Sequence, residues 1–231
     1  MASSDWSYLS DGLDAATVSR GVTAGIERAP GGGSFLFGFN SRAASVGAVA
    51  LACALPEFAP LPRGGSIRGC VQRGPGGGPL GFAPFVYLCG QGTSVNDHAY
   101  LLGLSDDDPH RIVLRKGAIA AGIPSSSGAG ALLASSESFA QGTWLHLRLD
   151  VIVNDTGDVV LDVFRSDLEA HPLGTPPDWQ RISGMPQFID DALAINTGSA
   201  PLTSGRAGFG FQTRDVTRRA FFDHLELWRQ V

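Results

Sequence analysis

An all-β antiparallel fold, a sandwich or a barrel, is what this sequence predicts, and three observations predict it. Apolar residues recur at every second position in several separate segments. Gly and Pro, 31 and 14 of the 231 residues, fall between those segments without a repeating period, as turn residues do. No segment shows a long amphipathic 3.6-residue pattern, and no repeat of fixed length is visible.

Residues 1–34 are mixed, with DAATVSRGVTAGI compatible with a short helix or an extended arm and APGGG breaking whatever precedes it. They are read as an N-terminal arm to a single domain over 35–231. SFLFGFNS then alternates Phe35, Phe37 and Phe39 on one face of a half-buried strand, and GAVALACAL is an apolar run suited to a strand covered on both faces. Two strands are expected to flank the Gly-rich stretch RGPGGGPLG. AYLLGLSDDDPHRIVLRKGA reads as strand, acidic turn and strand, because Asp side chains bond nearby backbone and Pro fixes φ. Residues 124–141, small and polar, are expected to form a long loop with one turn of helix.

The most regular stretch is GTWLHLRLDVIVNDTGDVVLDVFRSDL, residues 142–168. Leu145, Leu147, Leu149, Val151 and Val153 oppose His146, Arg148 and Asp150, and Gly157 supplies the positive φ that a short hairpin loop needs. Residues 169–204 are irregular, and GRAGFGF and AFFDHLELW make two closing strands.

A Gly-x-Trp leading into alternating leucines, an Asn/Asp–Gly turn and V-x-L-x-V resembles the concanavalin A-like jelly roll of lectins, glucanases and laminin-G-type domains. GRAGFGF (205–211) and AFFDHLELW (220–228) are similar to that family's final strands. Together these motifs span about a third of the chain. The resemblance implies a jelly-roll β-sandwich, and such motifs speak for fold far more than for function. The MASSDW start, the Gly-rich strands and the lack of a cofactor signature also resemble virion proteins of tailed bacteriophages, which often use this jelly roll in the particle, tail or baseplate. That resemblance implies a non-enzymatic structural component of a phage-like particle (capsid, tail or baseplate), located in the virion after synthesis in the host cytoplasm. Its partners would be other virion proteins and copies of itself, with the arm adding to a neighbour's sheet edge. The alternative is a carbohydrate-binding module that recognises a surface glycan.

Composition excludes several other classes. A net charge of −5 gives no field to attract nucleic acid, although sixteen of the 17 basic residues are Arg, with Lys116 the exception. The longest apolar run, residues 46–55, is half of what a bilayer crossing requires, and MASSDWSYLSDG lacks the basic and apolar regions of a secretory signal. Cys53, Cys70 and Cys89 are widely spaced and read as reduced core residues, not as metal ligands.

The chemical candidates are few. A glycosidase on this scaffold would carry paired carboxylates on one face of a strand. The nearest approach, Asp223 and Glu226, falls on opposite faces if the strand keeps a strict period of two. Asp150 beside Arg148 is most simply an ion pair. Asp150, Asn154, Asp155 and Asp158 could gather around Ca²⁺, but the stretch reads more simply as a turn, and the Asp106–Asp108 run likewise reads as a solvated turn. Gly76, Gly78 and Gly81 match G-x-G-x-x-G in the wrong context, before a strand instead of a helix. The five His (98, 110, 146, 171 and 224) show no ligand spacing, and His146 and His224 are expected at the surface or the edge of the core. No cofactor, metal site or catalytic residue is therefore expected. The jelly-roll resemblance implies that Trp144, which begins an inner-face strand in such folds, lies in the core. Trp179, in the loop TPPDWQR, is the candidate for stacking on a sugar. Arg214, Arg218 and Arg219 are the candidates for docking a protein partner through carboxylates.

Overall fold

Period-two alternation requires sheets that bury one face, and the chain meets that requirement by packing two sheets against each other. The computed structural model describes residues 6–11, 37–41, 48–54, 61, 63–73, 82–91, 98–105, 110–118, 131–140, 142–191, 199–213 and 218–229. The strands, in chain order, are β1 (Trp6–Asp11), β2 (Phe37–Ser41), β3 (Ala48–Ala54), β4 (Gly64–Arg73), β5 (Phe82–Gly90), β6 (His98–Leu104) and β7 (His110–Ala118). They continue with β8 (Ala131–Phe139), β9 (Leu145–Val153), β10 (Val159–Ser166), β11 (Gln180–Arg181), β12 (Phe188–Asp190), β13 (Arg206–Thr213) and β14 (Arg218–Arg229). No helix occurs among the described residues.

The first sheet runs β1-β3-β13-β5-β6-β7-β8. The second runs β11-β10-β9-β4-β14-β2, with β12 also pairing β10. Every pairing is antiparallel, and the chain changes sheet at each step from β1 to β5 and again between β8 and β9, β12 and β13, and β13 and β14. The result is a jelly-roll sandwich, as the sequence predicts.

The core lies between the sheets. Val86, Leu88, Tyr100, Leu102, Ile112, Leu114 and Phe209 come from the first, and Ile67, Val71, Leu145, Leu147, Leu149, Val151, Leu161, Val163 and Phe222 from the second. The Phe209 and Phe222 rings meet across the gap at 4.9 Å between centroids. Each such side chain contributes about 1.5–3 kcal/mol by leaving water. All five apolar residues of the β9 alternation are in this cluster, so its polar residues face outward.

The β9–β10 hairpin closes as its turn residues require. Gly157 takes φ +88°, the Asn154 amide donates to the Asp158 carbonyl at 3.0 Å, and the Gly157 amide to the Asn154 carbonyl at 3.2 Å. The Asn154 side-chain oxygen accepts from the amides of Thr156 and Asp158, while Asp155 pairs with Arg63 at 2.7 Å. Asn154, Thr156 and Asp158 bond within the turn, while Asp155 is tied to Arg63 outside it.

Three expectations change or gain detail. The segment 124–141 is not a loop with a helical turn where it is described: residues 131–139 form β8, an edge strand paired to β7 through two register shifts. Its small residues carry no strong propensity, and hydrogen bonding to a neighbouring edge decides their state. Residues 6–11, inside the segment read as an arm, form β1 and pair with β3 of the same chain from Trp6↔Ala54 to Asp11↔Val49. Cys70 and Cys89 are buried free thiols, both raised by burial, Cys89 to about 12, so neither is reactive at neutral pH. Gly76, Gly78, Gly81 and Asp106–Asp108 lie outside the described residues.

Candidate functional site

Register across the second sheet arranges its outward-facing side chains in rows. Glu226, Arg68, Arg148, Phe164 and Arg181 stand directly opposite one another on β14, β4, β9, β10 and β11. To one side run Trp228, Ser66, Asp150 and Asp162, and to the other Asp223, Cys70, His146 and Ser166.

The β14 members share this face because of a bulge. Asp223 pairs with Cys70 and Glu226 with Arg68, and the register shifts between them. His224 absorbs the extra residue at φ +51°, a left-handed conformation uncommon outside glycine. The expectation that Asp223 and Glu226 fall on opposite faces therefore fails: one inserted residue restores the parity that three-residue spacing breaks. The His224 imidazole lies 2.6 Å from the Glu226 carboxylate.

The middle of the face alternates cations and aromatic rings. The Arg68 guanidinium sits 4.1 Å from the Trp228 ring centroid and 5.9 Å from that of Trp179. Arg148 lies 5.9 Å from Trp179 and 5.2 Å from Phe164, and Arg181 lies 5.3 Å from Phe164. Each contact of this kind contributes roughly 0.5–2 kcal/mol, more as water is excluded. Each guanidinium is also held by a carboxylate. Arg68 bonds Glu226 at 2.5 Å, Arg148 clasps Asp150 through two bonds of 2.8 and 2.6 Å, and Arg181 bonds Asp162. The Arg148–Asp150 pair is the one expected from sequence. Ser66 donates to Asp150 at 2.5 Å and Gln187 to Asp162 at 2.8 Å.

One end of the face is roofed by the segment that follows β10. The Asp167 carboxylate accepts from the Glu169 amide at 2.9 Å and the Asp167 carbonyl from the His171 amide at 2.7 Å, turning the chain back over the sheet. Pro172, Pro176 and Pro177 stiffen the return. Leu168 and Leu173 pack on Cys70, with Trp144 against them, in a small apolar cluster outside the main core. Trp144 is thus a lid residue instead of the core residue expected, because it sits one position before core-facing Leu145 and points the other way.

Between this roof and the sheet lies a cleft of about 320 Å³, lined by Arg68, His146, His224 and the roof residues His171 to Pro177. Trp179 stacks on His146 with ring centroids 4.5 Å apart. The roof leaves His146 only 3% exposed, so it is not the surface or core-edge histidine expected. Both of its ring nitrogens are buried without a hydrogen-bond partner, as are Arg68 Nε and, next to His146 on β10, Ser166 Oγ. Burial, then His224, then Arg68 pull the His146 imidazole from 6.5 down to about 3, which keeps it neutral. A second cavity of about 460 Å³ opens by the root of the roof, beside Trp144, Phe139, Arg165 and Ser166.

Of the residues singled out from sequence, Trp179 is at this site. Arg214 lies outside the described residues, and Arg218 and Arg219 are on β14 opposite Ser41 and Asn40, at the other end of the strand from Glu226 and Trp228. Arg68, His146, Glu226 and Arg181 were not legible as a group, since strands far apart in the chain bring them together. Among the described residues no group of three His, Cys, Asp or Glu could hold a metal ion.

No protein-family model and no curated protein matches the chain. Solved structures share its fold. It is similar to the PL-14 alginate lyase of Aplysia kurodai at 12% identity, with 96% of this chain and 90% of that one covered and a TM-score of 0.55. It is similar also to the metal-free Emp46p carbohydrate recognition domain at 14% identity, with 99% and 89% covered and a TM-score of 0.52. At these identities the likeness is one of fold: the sandwich is of the jelly-roll type found in lectin-like domains.

Proposed function

We propose that this domain binds a glycan, without reacting on it, in the cleft between the 167–179 roof and the outer face of the second sheet. The observation that carries this reading is the buried polar lining. The His146 nitrogens and Arg68 Nε are withdrawn from water and left unpartnered beside an aromatic ring, Trp179. A buried polar group without a partner costs about 1–3 kcal/mol, a cost that a ligand supplying hydrogen bonds would remove. Sugars offer hydroxyls for these polar atoms, and an apolar C–H face for the Trp179 indole, which stacks on His146 next to the residues that line the cleft. The fold is shared with a carbohydrate recognition domain and an alginate lyase, which makes the scaffold a familiar one for saccharides, while the site carries the argument.

Binding without chemistry is favoured by how the ionisable groups are tied. Glu226, Asp150 and Asp162 are each held by a guanidinium, and His146, near 3, is too weak a base to take a proton efficiently at neutral pH.

The test is a glycan array followed by calorimetry on the best ligand, with Trp179→Ala alongside. Loss of the indole is expected to weaken binding by about tenfold or more, equivalent to about 1.4 kcal/mol. Unchanged affinity in Trp179→Ala would remove the cleft from consideration, and an empty array would remove the glycan.

Assembly into a phage-like particle, with the virion as its location, stands second. It rests on the arm and on Arg214, Arg218 and Arg219. Residues 6–11 pair within their own chain, and the side chains of the three arginines lie outside the described residues.

A further inference from the structure

We infer that the saccharide taken by this cleft is uncharged, a neutral sugar recognised through its hydroxyls, and that uronates and sulfated sugars are refused. The inference rests on the glycan-binding reading and deepens it.

The first ground is the state of the cations. An anionic sugar is ordinarily held by a guanidinium free to present two parallel N–H groups. Here Arg68, the guanidinium that lines the cleft, is already committed to Glu226, and Arg148 and Arg181 further along the face are committed to Asp150 and Asp162. An incoming carboxylate or sulfate would have to displace a partner at close range or meet like charge in a site sheltered from water, where charge interactions are screened least.

The second ground is the donor and acceptor inventory. The unpartnered side-chain atoms on the residues that line the cleft are Arg68 Nε, a donor, and the two nitrogens of His146. A neutral imidazole has one donor and one acceptor. A hydroxyl can satisfy either kind of group, since it donates and accepts, whereas an ionised carboxylate only accepts and would leave the imidazole acceptor buried and unpaired. The third ground is size: at about 320 Å³ the cleft lies at the small end of ligand pockets, suited to a short saccharide or the end of a longer one.

The experiment is calorimetric titration of the full chain with matched trisaccharides: maltotriose, cellotriose, mannotriose and xylotriose on the neutral side, trigalacturonate and trimannuronate on the acidic side. A neutral trimer is expected to bind at least about tenfold tighter than either acidic one. Its affinity should change less than about twofold between about 50 and about 500 mM NaCl. Tighter binding of an acidic trimer, or affinity that collapses with salt, would overturn the inference and leave glycan binding standing. Binding of none of the six would overturn both. Glu226→Gln, which releases Arg68, should raise affinity for the acidic trimers at least about fivefold. No rise in a variant that melts at the wild-type temperature would also overturn the inference.

Discussion

The buried polar cluster around Lys116 and the one around His146 differ in whether their hydrogen bonds are made. Between the sheets, Lys116 Nζ places its three donors on Asp190, at 2.8 Å, and on the carbonyls of Ser199 and Ala200, both also at 2.8 Å. The Tyr100 hydroxyl donates to Asp190 at 2.5 Å and accepts from the Leu202 amide at 2.9 Å. Burial and the bond to Asp190 hold the Tyr100 phenol far above its ordinary range, so it stays protonated. On the outer face, His146 is equally hidden and makes no hydrogen bond. The first cluster is closed: it ties β6, β7 and β12 to the segment before β13. The second is open, and an open buried group signals a ligand more plainly than a satisfied one does.

The largest expected effect breaks the closed cluster. Lys116→Met leaves the buried Asp190 charge without its cation and should cost about 3–5 kcal/mol in urea unfolding. A cost below about 1 kcal/mol would mean that water reaches Asp190 and that the cluster is not closed.

The next effect separates the clusters by pH. The folded-state pKa of His146, about 3, lies below its unfolded value of 6.5, so between these values the unfolded chain binds more protons. This contribution to stability is complete above pH 6.5 and is lost as pH falls toward 3, by about 1.4 kcal/mol per unit at the steepest. Acidification from pH 6.5 to about pH 5 should therefore remove about 2 kcal/mol. His146→Leu should abolish that component while changing stability at neutral pH by less than about 1 kcal/mol, because it discards unsatisfied atoms. An unchanged pH profile in this variant would show that the imidazole is wet or partnered.

A smaller effect asks whether the open cluster stores strain. His224 holds a left-handed conformation at the bulge, which costs a side chain about 1–2 kcal/mol that glycine does not incur. His224→Gly should raise stability by about 1 kcal/mol and weaken glycan binding, since the contact to Glu226 is lost. A destabilised variant would show that the bulge is relaxed as it stands.

The smallest effect is a control. The pair Arg63–Asp155 is exposed on both sides, and Arg63→Ala should alter stability by less than about 0.5 kcal/mol.

The sequence by itself determined most of the strands, the hairpin at Gly157, and which residues of β9 face inward, because side-chain alternation is a local consequence of backbone pleat. It also picked out Trp179, a large aromatic in a proline-rich loop. Only the tertiary structure decided which strands are neighbours, and with them the row from Glu226 to Arg181. Arg68 and Glu226 are 158 residues apart in the chain, and no local pattern links them. The same holds for the bulge that brings Asp223 and Glu226 to one face, and for the roof over His146. Along β9, His146 and Ile152 both point outward, yet His146 is 3% exposed and Ile152 41%. Period two assigns a side chain to a face; what covers that face depends on a loop from elsewhere in the chain, and here that covering makes the site.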